Sequence, residues 1–138
     1  MREHTADVVI EAWAPTRAAC LEEAIAALAE TYSEANPRAA PDVTRQRRRL
    51  GWRHDDADGE DLLADLLDDA ITRLDCDGLV TVAAELTDAP DGSVTGELVV
   101  VPLEAREVTG ASPKGVSRSA LRLGPDDGGW SARAIVDV

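Results

Sequence analysis

The chain predicts an α+β domain, with a mixed sheet of about six strands and two helices packed on one face. Three observations carry that reading. Residues 16–32 and 58–77 repeat apolar side chains at helical spacing. Alternating apolar stretches in the second half are joined by two turn signals, Ala89-Pro90-Asp91-Gly92 and Gly124-Pro125-Asp126-Asp127-Gly128-Gly129. Strands that follow one another through hairpins separate this class from a fold in which every strand is followed by a helix.

The elements follow in order. Asp7 to Trp13 alternates, with Val8, Ile10 and Ala12 on one face and Asp7, Val9, Glu11 and Trp13 on the other. Pro15 closes this strand and Thr16 is placed to cap the next helix, because its hydroxyl can accept a first-turn N–H. Leu21, Ile25, Leu28 and Tyr32 give that helix one apolar stripe. A loop over residues 36–41 leads to Thr44 to Arg53, the only strongly basic stretch, in which Leu50 and Trp52 keep strand alternation. Arg45, Arg47, Arg48, Arg49 and Arg53 fit either a phosphate or acidic-partner contact or a solvated edge strand whose charges block edge-to-edge pairing.

Asp55 to Asp61 resembles a calcium loop only superficially. Begun at Asp55, the register places Ala57 third and Glu60 sixth, where a ligand and a glycine are required. The run instead starts a helix, with Asp58 as N-cap and Glu60 and Asp61 at the positive end of the dipole. Leu62, Leu63, Leu66, Leu67, Ala70, Ile71 and Leu74 form its broad apolar stripe, and Asp77-Gly78 stops it. Strands are expected at Leu79 to Leu86, Ser93 to Val101, Ser117 to Leu123 and Trp130 to Asp137, with a loop over residues 107–115.

The 138 residues make one domain, residues 1–138, long enough to bury a core. With no phenylalanine and one methionine, that core is expected to be built from Ala, Val, Leu and Ile with the three tryptophans. The net charge of −13 argues against tight non-specific nucleic-acid binding and favours divalent cations and basic partners. Cys20 and Cys76 lack metal or redox spacing and read as buried reduced thiols. No signal peptide or long apolar run is present, so a cytoplasmic protein without a membrane span is expected. No zinc spacing, nucleophile elbow or phosphate loop appears, and nothing argues for an enzyme.

One cluster could carry chemistry. If the first and last strands pair, Asp7, Asp137 and the Val138 carboxylate meet, and apolar Ile135-Val136 should dock that end. The residues alone leave three arrangements open: a divalent cation, an ion pair with Lys114 or an arginine, or separate solvated carboxylates.

Five stretches stand out in order along the chain: His4-Thr5-Ala6-Asp7-Val8, the Glu22-Glu23-Ala24 helix, the acidic leucine-paired helix from Glu60 to Asp69, Pro113 to Leu123, and the closing strand from Trp130 to Asp137-Val138. Together they resemble the archease family over essentially the whole chain. The resemblance implies a small α+β protein that is not an enzyme. Such a protein is a cofactor of the GTP-dependent RNA ligase of the RtcB type, promoting its guanylylation and repeated turnover in tRNA splicing or RNA repair. It meets RNA only through the ligase. The resemblance also implies a divalent cation, calcium, at Asp7, Asp137 and Val138, and functional positions at Lys114 and His4. Gly115, Arg118 and Ser119 depart from the family's usual Ala, Tyr and His, and Leu98 to Ser112 lacks its histidine. The competing expectation is a general chaperone or protein-binding module without a ligase partner.

Overall fold

A computed structural model describes residues 7–36, 38, 44–50 and 59–138, by their backbone alone over 45–50. His4, Asp58, the calcium-like run before Gly59, and the arginine side chains of the basic stretch lie outside the described residues.

The chain runs β1 (Asp7–Ala14), α1 (Arg17–Tyr32), β2 (Ser33–Ala35), β3 (Thr44–Leu50), α2 (Glu60–Asp77) and β4 (Leu79–Asp88), then β5 (Val94–Pro102), β6 (Arg106–Val108), β7 (Gly115–Val116), β8 (Arg122–Asp126) and β9 (Gly129–Asp137). The α+β class and both helices stand. The strands divide differently from the expected single mixed sheet: all described pairings are antiparallel, in three sheets. β9 lies between β1 on one side and β7 and β8 on the other; β3, β5 and β4 form a second sheet; β2 and β6 form a small third one. The long return of β9 to β1 and the β4–β5 hairpin make the pairs antiparallel, so the helices do not act as parallel crossovers.

Local chemistry sets the helix ends. Thr16 Oγ1 accepts from Ala19 N at 3.2 Å, and Asp88 Oδ2 from β4 accepts the neighbouring Ala18 N at 3.1 Å. α2 begins one residue later than the aspartate cap would place it. Its N-cap is Gly59, left-handed at φ 91° with no side-chain cap bond. Leu123, Leu62 and Arg17 crowd the place where a Gly59 side chain would stand. Gly78 ends α2 in a left-handed cap whose N–H reaches the carbonyls of Arg73 and Leu74.

Both helices share one core with the inner faces of the two larger sheets, built on Leu21, Ile25, Leu63, Leu66, Leu67, Leu98 and Val136. Tyr32, Leu74, Val80 and Val101 form a smaller cluster at the far end of α1. Polar bonds tie α1 to β4: Arg17 Nε donates to Asp88 at 2.9 Å, and Leu86 N donates to Glu22 Oε2 at 2.6 Å. Among the described strands β3 pairs only with β5, so the basic stretch over residues 44–50 holds an edge position, as in the second of its two expected readings. The strand expected over Ser117 to Leu123 is interrupted by a 3₁₀ turn at Arg118–Ala120 and begins at Arg122. Asp127 and Gly128, at φ 51° and 80°, alone form the β8–β9 turn, because a two-residue turn of that hand matches strand twist. Cys20 is buried as expected, whereas Cys76 is exposed because it sits in the last turn of α2 off the apolar stripe.

Candidate metal centre at the paired end of β1 and β9

The β1–β9 ladder sets the site. Its register pairs Val8 with Val136 and Ile10 with Ala134, and these positions face the core. Strand alternation therefore places the next pair, Asp7 and Asp137, on the outward face, directly opposite each other. Cross-strand partners on one face have Cβ atoms roughly 5 Å apart, close enough for their carboxyl groups to interact. A one-residue slip of β9 would turn Asp137 toward the core and Val136 outward, so the core fixes the site's register.

The other edge of β9 is also held. Gly115 pairs with Asp137, and Lys114 N donates to the Asp137 carbonyl at 2.7 Å. Asp137 thus sits between β1 and β7 while its side chain stays exposed, and Val138 follows it half-buried. Lys114 is brought beside the pair through its backbone, and its side chain is exposed. Among the described residues, neither Asp7 nor Asp137 forms a salt bridge with a lysine or arginine. The Asp7 carboxyl holds its proton above the ordinary aspartate value of 3.8. The first cause is its hydrogen bond with the Asp137 side chain, followed by desolvation and by repulsion from the Asp137 charge.

These carboxyl groups offer only oxygen donors, the chemistry suited to calcium or magnesium rather than to zinc or copper. Among the described residues no three His, Cys, Asp or Glu side chains converge, so the donor set is two carboxylates plus whatever Val138 oxygens add. Of the departing positions, Gly115 is the β7 residue paired with Asp137. Arg118 reaches across to Asp68 on α2 at 2.7 Å, and the Ser119 hydroxyl lies 3.3 Å from that of Ser117.

The archease protein family matches this chain over residues 1–138. The chain belongs to the archease family. Two Mycobacterium tuberculosis proteins, from strains CDC 1551 / Oshkosh and H37Rv and each called "Probable protein archease", are 36% identical to it over 135 residues. That match covers 98% of this chain and 72% of each relative. A crystal structure of an archease from Thermotoga maritima, described as a possible chaperone, superposes with a TM-score of 0.67 at 19% identity. It covers 100% of this chain and 98% of the other. The solution structure of protein 1598 from Methanobacterium thermoautotrophicum gives 0.67 at 20% identity, covering 99% and 96%. These two likenesses establish that the archease fold is shared.

The Glu22-Glu23-Ala24 segment, which carried part of the archease resemblance, has a structural use in this chain: Glu22 holds a β4 amide. Sequence reasoning did not find that contact, because the acceptor and donor are brought together by the packing of α1 on β4.

Proposed function

We infer that this archease is a non-catalytic cofactor of an RtcB-type RNA ligase. It would promote guanylylation and repeated turnover in tRNA splicing or RNA repair, and act in the cytoplasm. One observation carries the reading: the outward-facing Asp7–Asp137 pair, locked in register at a strand end and without a lysine or arginine partner among the described residues. Membership of the archease family supports the choice of an RtcB-type ligase as the partner, which the resemblance in sequence implies. Among the described residues no helix is long and apolar enough to cross a membrane.

Asp7, Asp137 and the Val138 oxygens would hold a divalent cation, with calcium the choice that fits an oxygen-only, partly open donor set. When bound, the cation supplies positive charge where the chain itself presents two adjacent carboxylates. The chain's own part is positional. β1 and β7 clamp Asp137 from both sides, the buried Val136 anchors the strand beneath it, and Lys114 is held alongside by its main-chain bond. Lys114, together with His4, which lies outside the described residues, is proposed to act in ligase recognition. An acidic surface of net charge −13 complements a basic partner.

The test is multiple-turnover ligation by the cognate ligase, with and without wild-type protein or Asp137→Ala. Stimulation by wild type and its loss in the variant support the reading. Equal stimulation by the variant rejects the carboxylate site. No stimulation by wild type rejects the ligase partner and leaves a chaperone or protein-binding module as the function.

A further inference from the structure

The outward face that carries Asp7 and Asp137 continues along the same strands into a differently built surface. Two residues on, Val9 opposes Ile135; then Glu11, Arg133 and Arg122 form one row across β1, β9 and β8; then Trp13 opposes Ser131. The last two rows, with Asp126, line an open groove of about 570 Å³, a volume within the range of small-ligand sites.

Three features of this groove are unusual for a plain solvated sheet face. Arg122 and Arg133 are directly opposed in register, both exposed, and neither side chain makes a hydrogen bond or ion pair with another described residue. Like charges so placed repel, and a bound anion would relieve that repulsion. Trp13 is 51% exposed, yet its ring is fixed: Nε1 donates to the Asp126 carbonyl at 3.0 Å, and the ring lies over Gly129, where an added Cβ would come within 2.5 Å of it. Glu11 stands opposite Arg133 without bonding to it and offers an acceptor at the groove's edge.

We propose that the Trp13–Arg133–Arg122 groove binds a nucleoside phosphate, free or as part of a single strand. The base stacks on the fixed indole, the phosphate bridges the two guanidiniums, and Glu11 accepts from an exocyclic amino or ring N–H of the base. A bare anion uses only the arginines, and a protein segment has no need of a stacking plane next to an unpaired arginine pair. The proposal goes beyond the ligase-cofactor reading, in which RNA is met only through the ligase. It also limits the binding to one local contact, because the chain's overall negative charge opposes extended phosphate tracking.

The experiment is ¹H–¹⁵N NMR titration of the full chain with guanosine monophosphate, uridine monophosphate, inorganic phosphate and a five-nucleotide RNA. Guanosine monophosphate should shift the Trp13 indole N–H and the Arg122 and Arg133 side-chain signals together. Uridine monophosphate should bind more weakly, and inorganic phosphate should move only the arginines. Tighter binding of the oligonucleotide than of either mononucleotide identifies a strand as the source; equal binding identifies free nucleotide. Trp13→Ala should weaken binding roughly tenfold or more, from the loss of one stacked base. The exposed double variant Arg122→Gln/Arg133→Gln, which removes no core contact, should weaken it about tenfold or more by removing two charge-assisted bonds. No response to millimolar nucleotide, an indole response to phosphate alone as large as that to nucleotide, or unchanged affinity in the double-glutamine variant overturns the proposal. Shifts of this face by the ligase without any by nucleotide would make it a protein interface and overturn it equally.

Discussion

Glu22 is expected to be a structural anchor, and its replacement tests that directly. Its carboxylate accepts the Leu86 amide at 2.6 Å across the α1–β4 seam, and Leu86 itself is buried in the main core. A hydrogen bond to a charged acceptor contributes about 1.5–3 kcal/mol net, and the Glu22→Ala change leaves a partly buried N–H without that acceptor. Unfolding entropy near about 2.1 cal/mol/K per residue makes 1 kcal/mol worth roughly 3–4 °C in a chain of this size. The variant should therefore melt about 5–10 °C below wild type. Glu22→Gln keeps an oxygen acceptor of similar reach and should lose about half as much, since charge-assisted bonds are roughly twice as strong as neutral ones.

Thermal melts by circular dichroism and urea titrations give the values, and an unchanged m-value shows that the unfolding unit is the same. The stabilisation by calcium that the proposed Asp7–Asp137 site predicts should be the same in this variant as in wild type, because Arg17 and Asp88 still tie the start of α1 to β4 and the β1–β9 register is untouched. A Glu22→Ala variant within about 2 °C of wild type, the scale of an ordinary surface change, would refute the anchoring argument. A variant that keeps its stability and loses its calcium response would move Glu22 from scaffold to site.

Three further outcomes follow from the same structure. Between 3.8 and the higher native value, the folded state keeps the Asp7 proton while the unfolded chain has released it, so stability due to this pair falls as pH rises through that window. In chelator, Asp7→Asn should therefore flatten the acid limb of a stability–pH curve and leave neutral-pH stability equal or higher; lower neutral-pH stability with an unchanged acid limb would contradict the sign. Gly96→Ala should destabilise strongly, by roughly 3 kcal/mol or more, because its Cβ would stand 1.9 Å from the Glu85 carbonyl on the paired strand, and a melt near wild type would show that β4 and β5 can separate there. A thiol reagent at neutral pH should label Cys76 in the folded protein and Cys20 only after unfolding, since Cys20 is buried and burial, with the nearby Glu23 charge, pushes its thiol up to about 11; mass spectrometry of the labelled peptides decides it.

What the sequence made legible was local or strictly periodic. Thr16 announces α1 because a hydroxyl one residue before the helix has one obvious use, and Gly78 ends α2 because the left-handed cap suits glycine. The alternation from Asp7 to Trp13 put Asp7 and Trp13 on one face. That this face is the outward one, with Trp13 outside the core where the tryptophans were expected, depends on which side the helices pack. Less legible were features that depend on distant chain. β2 and β6 are three residues each, too short to show a period, and Ser33 passes from α1 into β2 without a breaking residue. The cap of α2 fell to Gly59 rather than to the more familiar aspartate because a left-handed glycine fits where Leu123 and Leu62 close in. The Arg122–Arg133 pair requires knowing that the β8–β9 turn has only two residues, since any other turn length would change the partner of Arg133.

The ladder between β1 and β9 explains why core and candidate site are hard to alter separately. Val136, Ala134 and Ala132 point inward from the strand whose outward residues are Asp137, Ile135 and Arg133. The inward set has fixed size, because β9 packs against α1 and these residues share one buried core with Leu21, Ile25 and Leu28. The outward set has no such restriction and can be replaced without opening a cavity. A substitution such as Asp137→Ala therefore removes a carboxylate while leaving Val136 and its packing in place. Val136→Ala does the reverse: it leaves both carboxylates present in sequence but loosens the strand that aims one of them. If the site depends on aim as well as on charge, Val136→Ala should weaken calcium binding without removing any ligand. Its core cost is expected to be about 2 kcal/mol or more, so binding must be measured well below the melting temperature. Calcium affinity equal to wild type in the folded variant would show that the pairing with β7 and the Lys114 amide suffices to hold Asp137.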